Sequence, residues 1–457
     1  MSALILLTVF GIIVLYLGFA NNKTILAPVA ITGLLITMFL SIKDWNLGSK
    51  YFHDMMIIDN FSIAFNVSML IITILIFLFG VNYYKRMEHH VAEQYALMIF
   101  ALTGAFLMTS FSNLIMLFLG IEILSIPLYI LAGGKKSSFR SNEASFKYFL
   151  LGSFATTFFL FGIALVYGAS ATFYLPEIKT YIAQFNGHLP PMLMVGLLFI
   201  LIGVSFKVAV APFHFWSPDV YEGSPTLVTA FMATVVKTAG FAAFYRLLGM
   251  GLLPLPGPLE KTLWVMTMLS LLVGNLAALR QTNFKRLLAY SAIVHTGFMM
   301  LAMLSQHDSS ASVLLYYTFV YSLATVPLFI IFIYMKRASS GLEELSIFRG
   351  LYKQKPWMAV FMTILLMSLA GLPPTAGFLA KYRVFILSIS QGYLAISIFA
   401  IVMAIIGVYY YFYVLREAFS ESDNPNPIEI SRLNSVLIVV CGVAVLLLGV
   451  FVWSVPI

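Results

Sequence analysis

The sequence predicts an all-α polytopic membrane protein of about 14 transmembrane helices, with two inverted five-helix repeats and two broken helices. Three observations predict it. Apolar stretches of roughly twenty residues, the length that spans a bilayer as a helix, recur along the whole chain. Basic residues gather in every second connection between them, and two over-long apolar stretches carry prolines well inside their length.

The composition agrees. Of 457 residues, 61% are hydrophobic and 10% charged, and the mean hydropathy is +0.97. Soluble domains carry about 25% charged residues, so a water-soluble fold is excluded. A formal charge of +8 would suggest nucleic acid for a soluble protein. Here the basic residues sit mostly in short connections, where they orient the chain in the membrane, and no nucleic-acid partner is expected. The single cysteine, Cys441, lies in the last apolar stretch and reads as a small buried hydrophobe. One cysteine excludes an internal disulfide and a thiolate metal cluster.

In chain order the apolar segments are 2–20, 25–42, 57–81, 94–110, 112–131, 146–168, 191–221, 225–248, 262–279, 287–304, 312–335, 357–390, 393–415 and 433–454. The first lacks a basic stretch before its apolar core and is read as a retained span rather than a secretory leader. The tight SFSN sequence separates the fourth segment from the fifth. One set of connections holds about sixteen cations: Lys23, Lys85, Arg86, Lys135, Lys136, Arg140, Arg280, Lys285, Arg286, Lys336, Arg337, Arg349, Lys353, Lys355, Arg416 and Arg432. The other set holds little beyond Lys43, Lys50, Lys179 and Lys261. Under the positive-inside rule both termini face away from the cytoplasm.

The segment at 191–221 contains Pro212 and Pro218, and that at 357–390 contains AGLPPTAGF, with Gly371, Pro373, Pro374 and Gly377. Proline removes a backbone donor and clashes with the preceding turn. Both segments are therefore expected to be broken, with freed backbone groups tolerated only inside protein or beside water. Kinking for packing explains either break alone. Two breaks, each beside a lysine, point to a transport path.

An internal repeat supports that reading. YFLLGSFATTFFLF from Tyr148 resembles YTFVYSLATVPLFI from Tyr317, aligning Ser153 with Ser322, Ala155 with Ala324 and Thr156 with Thr325, and GVSFK at Gly203 parallels GFLAK at Gly377. Five spans, an odd number, separate equivalent elements, so the copies are inverted across the membrane. The expected organisation is an N-terminal three-helix segment at 1–90, five-helix repeats at 91–255 and 256–418, and a C-terminal helix at 419–457. The order of lysine and proline differs between the copies.

Glu122, Lys207, Lys237 and Lys381 are charged residue types set well inside these segments or beside their breaks. Insertion scales put a charged side chain at the bilayer centre at roughly 2.5–3.5 kcal/mol, and residues kept there mark ion pathways. A packing salt bridge between Glu122 and one lysine, with the others reaching toward an interface, is the bland alternative. It suits Arg246 at a segment end, leaves Arg383 open, and suits the central Lys237 poorly. Burial disfavours the charged form of lysine and a nearby carboxylate restores it, so a string of lysines can relay protons; arginine cannot. His295, of the residue type whose ordinary pKa lies near neutrality, reads equally as a relay or as a bonded core residue. His214, past Pro212, reads chiefly as structural, His89 and His90 as a solvated loop, and Asp219 and Glu222 as parts of a turn. Motifs for nucleotide, haem or hydrolase chemistry are lacking, with GMGLLPLPG read as a loop, and bond-making chemistry in the chain is not expected.

KVAVAPFHFWSPDVYEGSPTLVTAFMATVVKTAGF, with GIEILSIPLYIL, NFKRLLAYSAIVHTGF and GLPPTAGFLAKYRVF in the expected order, resembles the antiporter-like membrane subunits of bacterial NADH:quinone oxidoreductase, respiratory complex I. The PDVYEGSPT wording resembles the subunit N branch rather than subunits L and M or the Mrp sodium/proton antiporters. The resemblance implies inverted repeats of helices four to eight and nine to thirteen, with helices seven and twelve broken. It implies proton transfer by Glu122, Lys207, Lys237 and Lys381, with His295 in the tenth-helix motif. The chain would carry no cofactor, FMN, iron–sulfur clusters and quinone belonging to other subunits. Its partners would be a neighbouring antiporter-like subunit, small membrane subunits, peripheral subunits and the lipid of the bacterial inner membrane. A stand-alone Mrp-like sodium/proton antiporter subunit is the alternative.

Overall fold

A segment surrounded by hydrocarbon must satisfy its own backbone hydrogen bonds, so the apolar runs become helices. The computed structural model describes all residues except 20–22, 85–89, 186–188, 253–254, 306, 308, 340, 422–426 and 452–457. The expectations for Lys85, Arg86 and His89 lie outside the described residues. Twelve helices among the described residues are long and apolar enough to cross a membrane, and two shorter apolar helices, Ser2–Leu17 and Pro356–Ala370, match the remaining segments.

The chain begins with α1 (Ser2–Leu17) and α2 (Leu26–Lys43), followed by a hairpin of β1 (Ser49–Tyr51) and β2 (Met56–Ile58), paired from Ser49 opposite Ile58 to Tyr51 opposite Met56. The hairpin had no sequence counterpart in the helical reading. Helix α3 (Asn60–Tyr83) opens on a capping box: the Asp59 carboxylate accepts from the Ser62 backbone and the Ser62 hydroxyl accepts from that of Asp59. The SFSN sequence does separate two helices, α4 (Val91–Ser110) and α5 (Leu114–Ala132), because the Asn113 side chain accepts from Ile115 N and starts α5 afresh.

Next come α6 (Phe139–Ser170), α7 (Leu175–Ala183), α8 (Pro191–Val208) and α9 (Trp216–Gly223). A continuous helix then runs through α10 (Thr226–Phe231), a π segment at Met232–Val236, α11 (Lys237–Leu247) and a second π segment at Leu248–Leu252. GMGLLPLPG is thus helical as far as Leu252, correcting the expectation of a loop: isolated glycines only weaken a helix, and its prolines come later. The rest is α12 (Gly257–Ala278), α13 (Phe284–Leu304), α14 (Ser310–Ala338), α15 (Leu351–Gln354), α16 (Pro356–Ala370), α17 (Ala376–Ser390), α18 (Leu394–Phe419) and α19 (Arg432–Val450).

Burial separates an inner from an outer set. The apolar window is 100% buried in Thr226–Leu252 and 94% buried in both α13 and α14, against 33% in α6 and α19. Outer helices expose large apolar side chains, such as Phe146, Phe154 and Phe161 of α6 and Ile398, Ile405 and Phe412 of α18. Those faces suit lipid or other apolar partners, and the inner three helices form the centre on which polar groups converge.

Candidate functional site

The first break follows from local backbone chemistry. Helix α8 ends at Val208, and Ala209 turns left-handed at φ +57°. Pro212 has no N–H with which to continue the helix. The freed groups find partners: Trp216 Nε1 donates to Phe206 O at 2.9 Å, Ala211 N donates to Ser270 Oγ of α12 at 2.9 Å, and Thr296 Oγ1 lies 3.1 Å from Val208 O. Lys207, in the last turn of α8, is buried and points elsewhere. Its Nζ donates to Ser125 Oγ of α5 at 2.8 Å and to Tyr148 OH of α6 at 3.4 Å, and Tyr148 stacks on Trp216 at 4.6 Å.

Lys237 begins α11 immediately after the π segment, a helix irregularity frequent at functional sites. It is 4% exposed, and its Nζ donates to Ala292 O at 2.6 Å and Thr296 Oγ1 at 2.8 Å, both on α13. The Thr296 hydroxyl has one proton for two carbonyls, Val208 O and Ala292 O at 2.9 Å. Through it Lys237 is joined to the residue after Lys207.

His295 lies one position earlier on α13. Its Nδ1 shares a 2.8 Å hydrogen bond with Tyr317 OH, its Nε2 lies 3.3 Å from Tyr411 OH, and Ser291 Oγ bonds Tyr411 OH. The Tyr321 ring lies beside both partners, 5.9 Å from Lys237 Nζ and 4.9 Å from the imidazole. A polar cluster of Ser291, His295, Tyr317 and Tyr411 therefore adjoins Lys237.

At the second break α16 ends at Ala370, and Gly371 takes φ +82°. The helix leaves its last carbonyls without intrahelical donors, and Lys381, on α17, supplies them: Nζ donates to Leu369 O at 3.0 Å and Ala370 O at 2.8 Å. A Cβ on Gly371 would lie 2.6 Å from Lys381 Cδ, so glycine serves the left-handed turn and the lysine's approach together. Lys381 Nζ stands 4.8 Å above the Phe298 ring, whose centre is 6.4 Å from that of His295. Among the described residues no hydrogen bond links His295 to Lys381.

The expected residues thus form two groups. Lys237 bonds α13 directly and His295 lies on it, while the Lys207 side chain turns to α5 and α6 and is linked to Thr296 through the neighbouring Val208 carbonyl; Lys381 stands behind Phe298. Glu122 is half-buried on α5, where its Oε1 accepts from Thr156 Oγ1 of α6 at 2.9 Å. No described cation lies within 4.0 Å of it, which corrects the packing salt bridge considered above. Ser125, the acceptor of Lys207, lies three residues after Glu122 on α5, a spacing legible in GIEILSIP.

Two further readings change. Arg246 does not reach toward an interface. It is 4% exposed, donates to Phe111 O at 2.7 Å and pairs with Asp59 at 2.9 Å, tying the α4 end and the β hairpin to the α3 cap. Asp219 and Glu222 belong to α9 rather than to a turn, because cations on neighbouring helices fix them. Asp219 pairs with Lys147 and Arg286, each at 2.7 Å, and Glu222 pairs with Arg286 at 3.0 Å. His214 is buried, and its Nδ1 finds no partner among the described residues.

The residue sequence reasoning overlooked is Lys285. Counted with the loop cations, it is 1% exposed at the start of α13, with Nζ donating to Glu222 O at 2.6 Å and Ser224 O at 2.7 Å. It forms part of the wall of a cavity of about 530 Å³ among Lys135, Arg140, Glu222, Asn283, Lys336 and Glu343. Burial alone would raise Glu343, but the Lys285 charge and the hydrogen bond from Lys336 outweigh it and hold the carboxyl below its ordinary value.

Residues 111–407 match the family described as NADH:quinone oxidoreductase/Mrp antiporter, transmembrane. NADH-quinone oxidoreductase subunit N of Flavobacterium johnsoniae is 39% identical over 431 residues, 93% of this chain and 92% of the relative. Among solved structures, a chain of respiratory complex I from Thermus thermophilus aligns with a TM-score of 0.82 and 33% identity, over 98% of this chain and 97% of that one. A chain of the Mrp complex from Dietzia shares the fold, with a TM-score of 0.83 at 20% identity, over 98% of this chain and 95% of that one.

Proposed function

The chain belongs to the NADH:quinone oxidoreductase/Mrp antiporter transmembrane family, on the subunit N branch, and from that premise we propose that it moves protons through its buried lysines while neighbouring subunits reduce quinone. It is a multi-pass membrane subunit of an oxidoreductase complex. The observation that carries the proposal is the company the lysines keep. Lys207, Lys237 and Lys381 are bonded to hydroxyls and backbone carbonyls, and among the described residues no carboxylate lies within 4.0 Å of any of them. Such an amine can gain or lose a proton as its surroundings change, where a tight ion pair would hold it.

In the proposed sequence a proton taken up on the cytoplasmic side passes among Lys207, Lys237 and Thr296, with the Glu122 carboxylate biasing Lys207 through Ser125. It continues past His295, Tyr317 and Tyr411 to Lys381 and leaves on the opposite side. Phe298 stands at the step without a direct hydrogen bond, so that step needs water or side-chain motion. The repeats at 91–255 and 256–418 would each supply one half of the path, in opposite orientation. The chain itself would hold no redox group, FMN, iron–sulfur clusters and quinone being supplied by partner subunits. Both termini would lie outside the cytoplasm in a bacterial inner membrane, as the charge bias of the connections supports.

The test is proton transfer per electron by the assembled complex in sealed vesicles. Lys237→Ala should assemble and lower that ratio, and Lys237→Arg should not restore it, because a guanidinium does not release its proton. An unchanged ratio in Lys237→Ala overturns the proposal. The Mrp-type alternative rests on fold likeness at 20% identity, and sodium-dependent exchange by the chain alone is its signature.

A further inference from the structure

We propose that Lys285 is the proton-loading residue on the uptake side, taking protons from the cavity at the basic face and passing them to Lys237. This rests on the proton-translocation reading above and adds a residue and an inlet to it. Three observations carry it, and the first is position. Lys285 is 1% exposed where the cavity of about 530 Å³ meets the start of α13, so one side of it meets the cavity and the other the helix interior.

The second is bonding. Glu222, Glu343, Lys336 and Lys135 are the charged groups that act on it, Arg140 and Glu344 also line the cavity, and several of these are paired: Lys336 with Glu343, Arg140 with Glu222, and Glu222 with Arg286, which also pairs with Asp219. Lys285 forms no ion pair within 4.0 Å among the described residues. Its ammonium is held by the carbonyls of Glu222 and Ser224, at the C-terminal end of α9, where helix carbonyls lack intrahelical donors. Carbonyl dipoles accommodate the cation without the full Coulombic hold that a carboxylate at contact would exert.

The third is direction. Ala292 and Thr296, the acceptors of Lys237, follow Lys285 by seven and eleven residues on α13, on the same helical face and about 10 and 16 Å along the axis. Ala289 lies on that face between Lys285 and Ala292, and Ala233 lies one turn before Lys237, both buried and both small. In the step itself a neutral Lys285 amine accepts H⁺ from hydronium that reaches the cavity from the uptake side, becoming ammonium and leaving water. It then gives H⁺ through water to a neutral Lys237 amine and returns to its starting form. No electron moves and no bond other than N–H and O–H changes.

The test uses the complete complex in sealed vesicles, with Lys285→Arg beside Lys285→Met and Lys237→Ala. Arginine can still donate to both carbonyls of the α9 end but does not deprotonate, so it separates a clamp from a proton carrier. The expected result is that Lys285→Arg assembles and loses as much proton transfer per electron as Lys237→Ala. Wild-type pumping by Lys285→Arg overturns the proposal, whatever Lys285→Met does, since a pure clamp is rescued by arginine. If Lys285→Arg pumps normally while Lys237→Ala fails, only the inlet is wrong; if both pump normally, the translocation reading falls with it.

Discussion

The two helix breaks solve the same backbone problem by opposite means. After α8 the chain turns through an alanine, and the released groups are taken up by an indole, a serine and a threonine, leaving Lys207 free to bond with Ser125 and Tyr148. After α16 the chain turns through a glycine, and Lys381 itself takes up the released carbonyls. The first lysine stands beside its break and the second is built into one. Lys207 can therefore change its proton count without disturbing backbone bonding, whereas a change at Lys381 alters what holds the end of α16. That difference suits a path whose last step is coupled to local rearrangement.

The comparison can be broken or sharpened by substitution, and the largest effect is expected at Gly377. A Cβ there would lie 1.8 Å from Ser368 O, a backbone atom, so Gly377→Ala should destabilise the complex by about 3 kcal/mol or more, read as loss of assembled complex from the membrane. Normal accumulation would mean that the close packing of α16 on α17 is dispensable.

Methionine in place of each lysine compares the breaks directly. Lys381→Met leaves two buried carbonyls without a donor and should lower unfolding stability by roughly 2 kcal/mol. Lys207→Met leaves Ser125 bonded to Ile121 O and Tyr148 stacked on Trp216, and should shift stability by less than about 1 kcal/mol, although on the proposed path both variants should lose pumping. Equal denaturation midpoints for the two would erase the distinction drawn here.

Trp216→Phe keeps a ring against Tyr148 but removes the donor to Phe206 O, a loss of about 1 kcal/mol confined to the first break. The smallest effect is expected at Ala209. A left-handed alanine carries roughly 1–2 kcal/mol of strain, and glycine would relieve it while giving back about 0.5–1 kcal/mol in unfolded-chain entropy. Ala209→Gly should therefore raise the melting temperature slightly, and a fall would show that its methyl packs more tightly than its φ suggests.

Much of this architecture was legible before any coordinates. Long apolar runs can only be helices in a bilayer, so the fourteen segments all find helical counterparts. Proline chemistry located both breaks, at Pro212 and at Pro373–Pro374, each just beyond a left-handed residue, although Pro127 and Pro327 lie inside α5 and α14 without ending them. Glu122, Lys207, Lys237 and Lys381 stood out because charge in an apolar run has few bland explanations. Lys285, Arg246, Asp219 and Glu222 were misread because they lie at segment ends, where composition alone does not tell a solvated cation from one folded under a neighbouring helix.

By itself the sequence determined where the long apolar segments lie and that Glu122, Lys207, Lys237 and Lys381 are carried inside them, since a residue's own solvation chemistry sets both. Only the tertiary structure decided which partners those side chains meet: hydroxyls and carbonyls for the lysines, a threonine for Glu122, and α13 as the helix that gathers Lys285, Lys237 and His295. Partners of that kind are contributed by helices distant in the chain. Which of them converge depends on how the inner helices pack, and no local pattern records it.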